Sequence, residues 1–174
     1  EEITSKISKK FFLSQFIYTD LYVKQGKQEK EFCDCCLEFE SVYVIIQIKE
    51  RNEQANGDAK KWFEKKVLKD AKKQVRDTLS FYEEEDNVVF SKSDEFILER
   101  DKAIVPIILF LNKDMDKYER VVYSRTLNKF INIFSYEDFC TMLETIILPY
   151  DIIKYLEYRI LFEPSNMNKL IFDE

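Results

Sequence analysis

The spacing of apolar positions changes period several times along this chain, and each change marks an element. Residues 6–22 place Phe12 with Phe16, and Leu13 with Ile17 and Leu21, a four-residue step that predicts a helix packed on a core. Residues 24–30 are polar and predict a loop. Residues 31–49 predict a hairpin whose second strand opens with the apolar run of residues 42–46 and continues into Gln47-Ile-Lys49. A turn at Glu40 and Ser41 pairs Phe39 with Val42. The same register sets Asp34 across from Gln47 and Phe32 across from Lys49. Strand alternation then gathers Asp34, Gln47 and Lys49 on one face.

Residues 50–58 contain Asn52, Asn56 and Gly57 and predict a loop, with Asp58 capping a helix that runs to about Tyr82. Its apolar residues, from Ala59, Trp62 and Phe63 through Val67, Ala71, Val75 and Leu79, step by three and four and mark one buried stripe. The acidic stretch 83–99 predicts a loop with a short strand or helix near residues 87–90. Residues 103–111 are almost entirely apolar, as in a strand covered on both faces, with Pro106 marking a bulge or an edge. Strand, helix and strand over 42–49, 59–82 and 103–111 predict a right-handed βαβ crossover. Residues 121–125 and 129–134 predict two short strands. Ser135 and Asp138 resemble a capping box for a helix over 136–147. Pro149 starts a last helix over about 150–162, with Ile152, Ile153, Leu156, Ile160 and Leu161 inward, before a tail over 166–174.

Composition narrows the class. With 45% hydrophobic and 34% charged residues the chain is not expected to be disordered, and 2 Gly and 3 Pro favour long regular elements over a many-stranded barrel. The 174 residues suit a single α/β domain over the whole chain. The first residues, Glu1-Glu2-Ile3, lack a Met and suggest a piece trimmed from a longer protein. No apolar run reaches membrane-spanning length, so no membrane partner is expected. Cys33, Cys35, Cys36 and Cys140 occur without any histidine. Alternation puts Cys33 and Cys35 on one face and Cys36 on the other, and no second pair completes a zinc set. Buried, reduced thiols are the better reading, which implies the cytoplasm. The absence of histidine also excludes Ser-His-Asp and Cys-His nucleophiles.

The net charge of −6 is unevenly spread. Within residues 59–76, Lys60, Lys61, Lys65, Lys66, Lys69, Lys72, Lys73 and Arg76 face only Glu64 and Asp70, a local +6 that leaves −12 for the rest. Such a run suits contact with a phosphate backbone; a solvated lysine face is the plain alternative.

A carboxylate, an amide oxygen and a lysine on one face suit a hard divalent cation and a phosphate. Asp34 supplies charge, Gln47 a neutral oxygen, the Ile48 carbonyl a third ligand, and Lys49 a cation for the attacking water or the transition state. Asp34 followed by Gln47-x-Lys49 at the end of an apolar strand resembles the PD-(D/E)XK nuclease superfamily, in its Mrr-like Q-x-K variant. The resemblance spans roughly residues 10 to 112. It implies a three-layer restriction-endonuclease-like fold, a mixed central β-sheet flanked by helices. It further implies Mg2+ or Mn2+ as cofactor and hydrolysis of DNA, or RNA, by metal-activated water, with a homodimer as a further expectation. Asp34, Gln47 and Lys49 match its catalytic positions. Gln74 matches a glutamine that some members carry on the following helix. Asp20, Glu1 and Glu2 are candidates for a further acid found upstream in many members. Glu31, three residues before Asp34, faces away unless a bulge intervenes, and ranks as an auxiliary group. The neutral Gln47 in an acidic slot motivates the alternative of a catalytically inactive nucleic-acid-binding or protein-interaction domain.

Overall fold

The computed structural model describes residues 16–25, 28–52, 57–84, 88–91, 97–115 and 117–161. The strands are β1 (Ile17–Tyr18), β2 (Leu21–Gln25), β3 (Gln28–Cys33), β4 (Cys35–Phe39), β5 (Val42–Glu50), β6 (Val88–Ser91), β7 (Ala103–Leu111), β8 (Val121–Ser124) and β9 (Lys129–Ser135). Helix α1 follows β5 in three continuous segments: an α turn at Ala59–Phe63, a π segment at Glu64–Ala71 and an α segment at Lys72–Glu83. Helices α2 (Tyr136–Thr145) and α3 (Pro149–Leu161) follow β9.

Six strands form a mixed sheet in the order β1-β4-β5-β7-β9-β8. The β5–β7 and β7–β9 pairs are parallel and the remainder antiparallel. Alternation along β5 and β7 divides their side chains between two cores. Tyr43, Ile45, Ile108 and Phe110 pack with Phe63, Val67, Ala71, Val75 and Leu79 of α1. Val44, Ile46, Ile107 and Leu109 pack with Phe139 and Leu143 of α2 and Ile152 and Leu156 of α3. The result is a three-layer α/β fold, and it explains why β7 and residues 42–46 of β5 are apolar on both faces. Pro106 falls where β7 has a partner on one side only: it sits opposite Ile45 of β5, while pairing with β9 begins at Ile107. The missing N–H therefore removes no β9 bond.

Four expectations are corrected. Residues 16–22 do not continue a helix: β1 pairs Ile17 and Tyr18 with Leu37 and Cys36, and β2 begins at Leu21. Short aromatic runs fit either period, and here the open edge of β4 decides. Residues 6–15 of that expected helix lie outside the described residues. Of the expected polar loop over 24–30, the described residues 24–25 and 28–30 are instead paired strand, with Lys24 opposite Glu29 and Val23 opposite Lys30. Lys24 and Glu29 face outward from a small antiparallel sheet, β3-β2-β6, whose Leu21, Val23 and Phe32 face the α1 core, while Lys30, opposite Val23, reaches over the Phe81 ring of α1. Leu161 is 57% exposed, rather than inward, while Ile152 and Leu156 are buried as expected. Cys33 and Cys36, rather than Cys33 and Cys35, share a core, and Cys35 faces the other. None of the four cysteines forms a disulfide, and all are buried.

Among the described residues, no helix is long and apolar enough to cross a membrane. Residues 166–174, expected as a tail, lie outside the described residues.

Candidate functional site

The chain leaves the small sheet at Cys33 and enters the large one at Cys35, so Asp34 is the bend between two strands. The β4–β5 register is the expected one, with Phe39 opposite Val42 and Cys35 opposite Ile46. Beyond that pair β4 has turned away and β5 continues. Asp34 Oδ2 takes over as acceptor there, receiving the Ile48 backbone N–H at 2.6 Å. A side chain thus satisfies a ladder donor that the departing strand no longer reaches.

Gln47 is 5% exposed and faces the α1 side with Tyr43 and Ile45. Its Nε2 donates to the Phe32 carbonyl at 3.3 Å, and Thr78 Oγ1 of α1 donates to the same oxygen at 2.6 Å. Only the nitrogen of the amide can donate, so the bond to Phe32 orients the group and leaves Oε1 as the outward acceptor. Among the described residues Oε1 receives no hydrogen bond, and it is not sealed from the adjoining cavity. That cavity, about 210 Å³, is lined by Glu31, Gln47, Gln74, Asp77, Thr78 and Phe81, together with Lys30 and Phe32. Gln74 thus borders the same cavity as Gln47. Asp34 and Lys49 are not part of the cavity wall.

Lys49 is half-buried, and its Nζ donates to the Ile48 carbonyl at 3.0 Å. The carbonyl expected as a third ligand is thus held by the lysine expected to assist catalysis. Glu31 reaches the same neighbourhood through a bulge. Leu21 pairs with Cys33 but Tyr22 pairs with Glu31, so Phe32 is the extra residue. Partial burial pushes the Glu31 carboxyl above its usual range. The Asp34 charge raises it further, the Lys49 amine pulls it down, and Asp20 raises it again. Glu31 therefore interacts with the groups from which simple alternation would have turned it away. Asp20 sits in the left-handed region (φ 54°) at the bend between β1 and β2. Glu1 and Glu2 lie outside the described residues.

The basic helix is capped by Asp58 as expected, its Oδ1 accepting from Lys60 N at 2.8 Å and Lys61 N at 3.3 Å. The π segment, unexpected from the sequence, has a physical consequence. Its wider i→i+5 turns offset the drift that 3.6 residues per turn gives to a four-residue step. Phe63, Val67, Ala71 and Val75 stay along one buried line. The same step carries Lys61, Lys65, Lys69 and Lys73, all exposed, along a second line. Lys60 is exposed as well. The other basic residues are engaged: Lys66 with Asp70 at 3.0 Å, Arg76 with Asp77 at 2.9 Å, and Lys72 with the Tyr123 carbonyl at 2.8 Å.

Sequence reasoning missed Thr78 and Asp77. Thr78 carried a signal, because a hydroxyl on an otherwise apolar stripe needs a partner when buried. Asp77 lies one helical step from Gln74 and carried none. Among the described residues, no group of three or more Cys, Asp or Glu side chains converges as a ready metal cluster. The available donors are hard oxygens, two carboxylates and an unpaired amide oxygen, the type that Mg2+ and Mn2+ prefer. No protein-family model, curated protein or solved structure matches this chain.

Proposed function

We propose that this protein is a Mg2+- or Mn2+-dependent endonuclease that hydrolyses phosphodiester bonds in DNA, with RNA as the alternative substrate. The observation that carries the reading is the register of β4 against β5, which brings Asp34 to the strand end that bears Gln47 and Lys49. Asp34 and Gln47 Oε1 would hold the cation. When bound, the ion lowers the pKa of its water and neutralises charge on the phosphate. Lys49 would release the Ile48 carbonyl and donate to the scissile phosphate, where a half-buried amine acts in lower dielectric than a surface one. Lys61, Lys65, Lys69 and Lys73 would meet backbone phosphates, giving affinity without sequence choice. Action as a cytoplasmic homodimer completes this reading.

The test is a supercoiled plasmid with Mg2+ or Mn2+ and the wild type, Asp34→Ala and Lys49→Ala proteins. Metal-dependent nicking by the wild type, lost in both variants, supports the reading. Plasmid binding without nicking at any metal concentration rejects it in favour of a second one, a non-catalytic nucleic-acid-binding domain. One observation favours that second reading: Asp34 and Lys49 each already bond to Ile48, and Gln47 brings no charge.

A further inference from the structure

We propose that the cavity between α2 and α3 is a binding site for a small monocarboxylate with an apolar body, its carboxylate held by Arg120 and Arg159. The site belongs to the α2–α3 layer, whereas Gln47 faces α1 on the other side of the sheet. It therefore stands apart from the nuclease reading.

The cavity measures about 230 Å³. Arg120, Asp138, Tyr155 and Arg159 border it with polar groups, and Phe134, Met142 and Ile146 give it an apolar wall. The Thr141 and Thr145 hydroxyls border it too, but each donates its proton one turn back, to the Glu137 carbonyl at 2.9 Å and the Thr141 carbonyl at 2.7 Å. The donors left for a ligand are the two arginines and the Tyr155 phenol.

Arg159 is built into place. Its guanidinium carbon lies 3.6 Å from the centre of the Phe134 ring. Its Nη2 donates to the Ile133 carbonyl at 3.0 Å and to the Arg120 carbonyl at 3.3 Å. These contacts fix the plane of the fork. Its Nη1 is buried and has no hydrogen-bond partner among the described residues. A buried charged donor left unpaired is costly, and native proteins seldom keep one. An acceptor in the adjoining cavity supplies what the fold does not. Burial lowers the proton affinity of this guanidinium, Tyr155 and Tyr118 raise it, and the Arg120 charge lowers it again. An anion would relieve both the burial and the repulsion.

Charge selects the ligand. Among the described residues the exposed Arg120 guanidinium makes no hydrogen bond or ion pair. Asp138 is the one carboxylate among the residues bordering the cavity, and it accepts the Tyr118 hydroxyl. Two guanidiniums against one carboxylate leave a single positive charge, which a monoanion balances and a phosphate dianion exceeds. The planar arginine fork matches the two oxygens of a carboxylate. The apolar wall asks for an apolar body. A space below the ~300 Å³ at which drug-sized pockets begin asks for a small one.

The experiment is calorimetric titration with benzoate and hexanoate, with neutral benzamide and inorganic phosphate as the comparison arms. The proteins are wild type, Arg120→Ala and Arg159→Lys, with circular dichroism to confirm folding. The expected result is binding of a carboxylate probe by the wild type and none of benzamide, with affinity weakened about tenfold or more in either variant, the scale of a hydrogen bond to a charged group. Arg120→Ala removes an exposed side chain, so it carries the test alone if Arg159→Lys fails to fold. A wild type that binds neither carboxylate overturns the proposal. So does benzamide binding as tightly as benzoate, or carboxylate affinity unchanged in Arg120→Ala. Phosphate binding more tightly than both carboxylates overturns the choice of a monocarboxylate.

Discussion

Within β5, residues Tyr43 to Ile46 and residues Gln47 to Lys49 share one strand and one parallel partner, β7, yet they are held in different ways. The first four are buried apolar side chains divided between two cores, with β4 alongside. The last three lie where β4 has turned away at Asp34, and side chains replace the lost ladder: Asp34 on Ile48 N, Gln47 on the Phe32 carbonyl, Lys49 on the Ile48 carbonyl. The first half is stabilised by burial, which does not depend on any one polar group. The second is stabilised by a few directed bonds that also aim carboxylate and amide oxygens outward. A strand that outruns its neighbour thus exposes backbone groups, and the side chains that satisfy them become the chemistry of the site.

The largest effects should separate these halves by kind. Asp34→Ala should lower cleavage by about 10²-fold or more, the scale of a lost electrostatic contact in a transition state, while weakening the fold by about 1–3 kcal/mol for the unsatisfied Ile48 N–H. Ile45→Ala should do the reverse. Urea titration should show about 2–5 kcal/mol lost from the core, with cleavage per folded molecule close to wild type. If Ile45→Ala destroyed cleavage while the protein remained folded, the division would fail.

Next in size is the lysine line on α1. Replacing Lys61, Lys65, Lys69 and Lys73 with Ala should weaken duplex binding. It should also flatten the salt dependence, by about 0.9 in the log–log slope for each phosphate contact removed. Replacing Lys72, already held by Tyr123, should change the slope less.

Thr78→Val keeps the shape but removes one of two donors to the Phe32 carbonyl. A loss of about 1 kcal/mol is expected in urea titration. A larger drop in Mn2+ affinity than in stability would sharpen the comparison, because it would show that the bulge serves the site more than the fold.

The smallest effect is a pH dependence at Glu31. Its carboxyl has a raised proton affinity in the folded state, so the folded protein binds the proton more readily than the unfolded chain. Below the ordinary carboxylate range both states are protonated and the group is neutral to stability. As pH rises through the folded value, ionisation disfavours the fold. Glu31→Gln should therefore melt slightly above wild type at pH 7, with the gap closing at acid pH.

The hairpin register was legible because the turn at Glu40 and Ser41 and the apolar run of residues 42–46 admit one phase that buries it. The α1 stripe and the Asp58 and Ser135 caps were legible for similar local reasons, and both caps accept the expected N–H groups. The bulge beside Glu31 was legible only as a condition, because a bulge is a disagreement between two strands and neither strand encodes it alone. The change of sheet at Asp34 was hidden for the same reason, and with it the true partition of Cys33, Cys35 and Cys36. The small sheet was missed because its polar outer residues look like a loop until Phe32, Leu21 and Val23 are seen to share a core.

By itself, the sequence determined the alternation that splits β5 between two cores, the length and charge of α1, and the acid, amide and amine near one strand end. All of these follow from short-range periodicity and residue type. Only the tertiary structure decided that Asp34 caps an orphaned N–H, that Lys49 rests on Ile48, and that Glu31 and Gln74 border one cavity with Gln47. Each depends on where one strand leaves another, a contest among long-range pairings that no single segment contains.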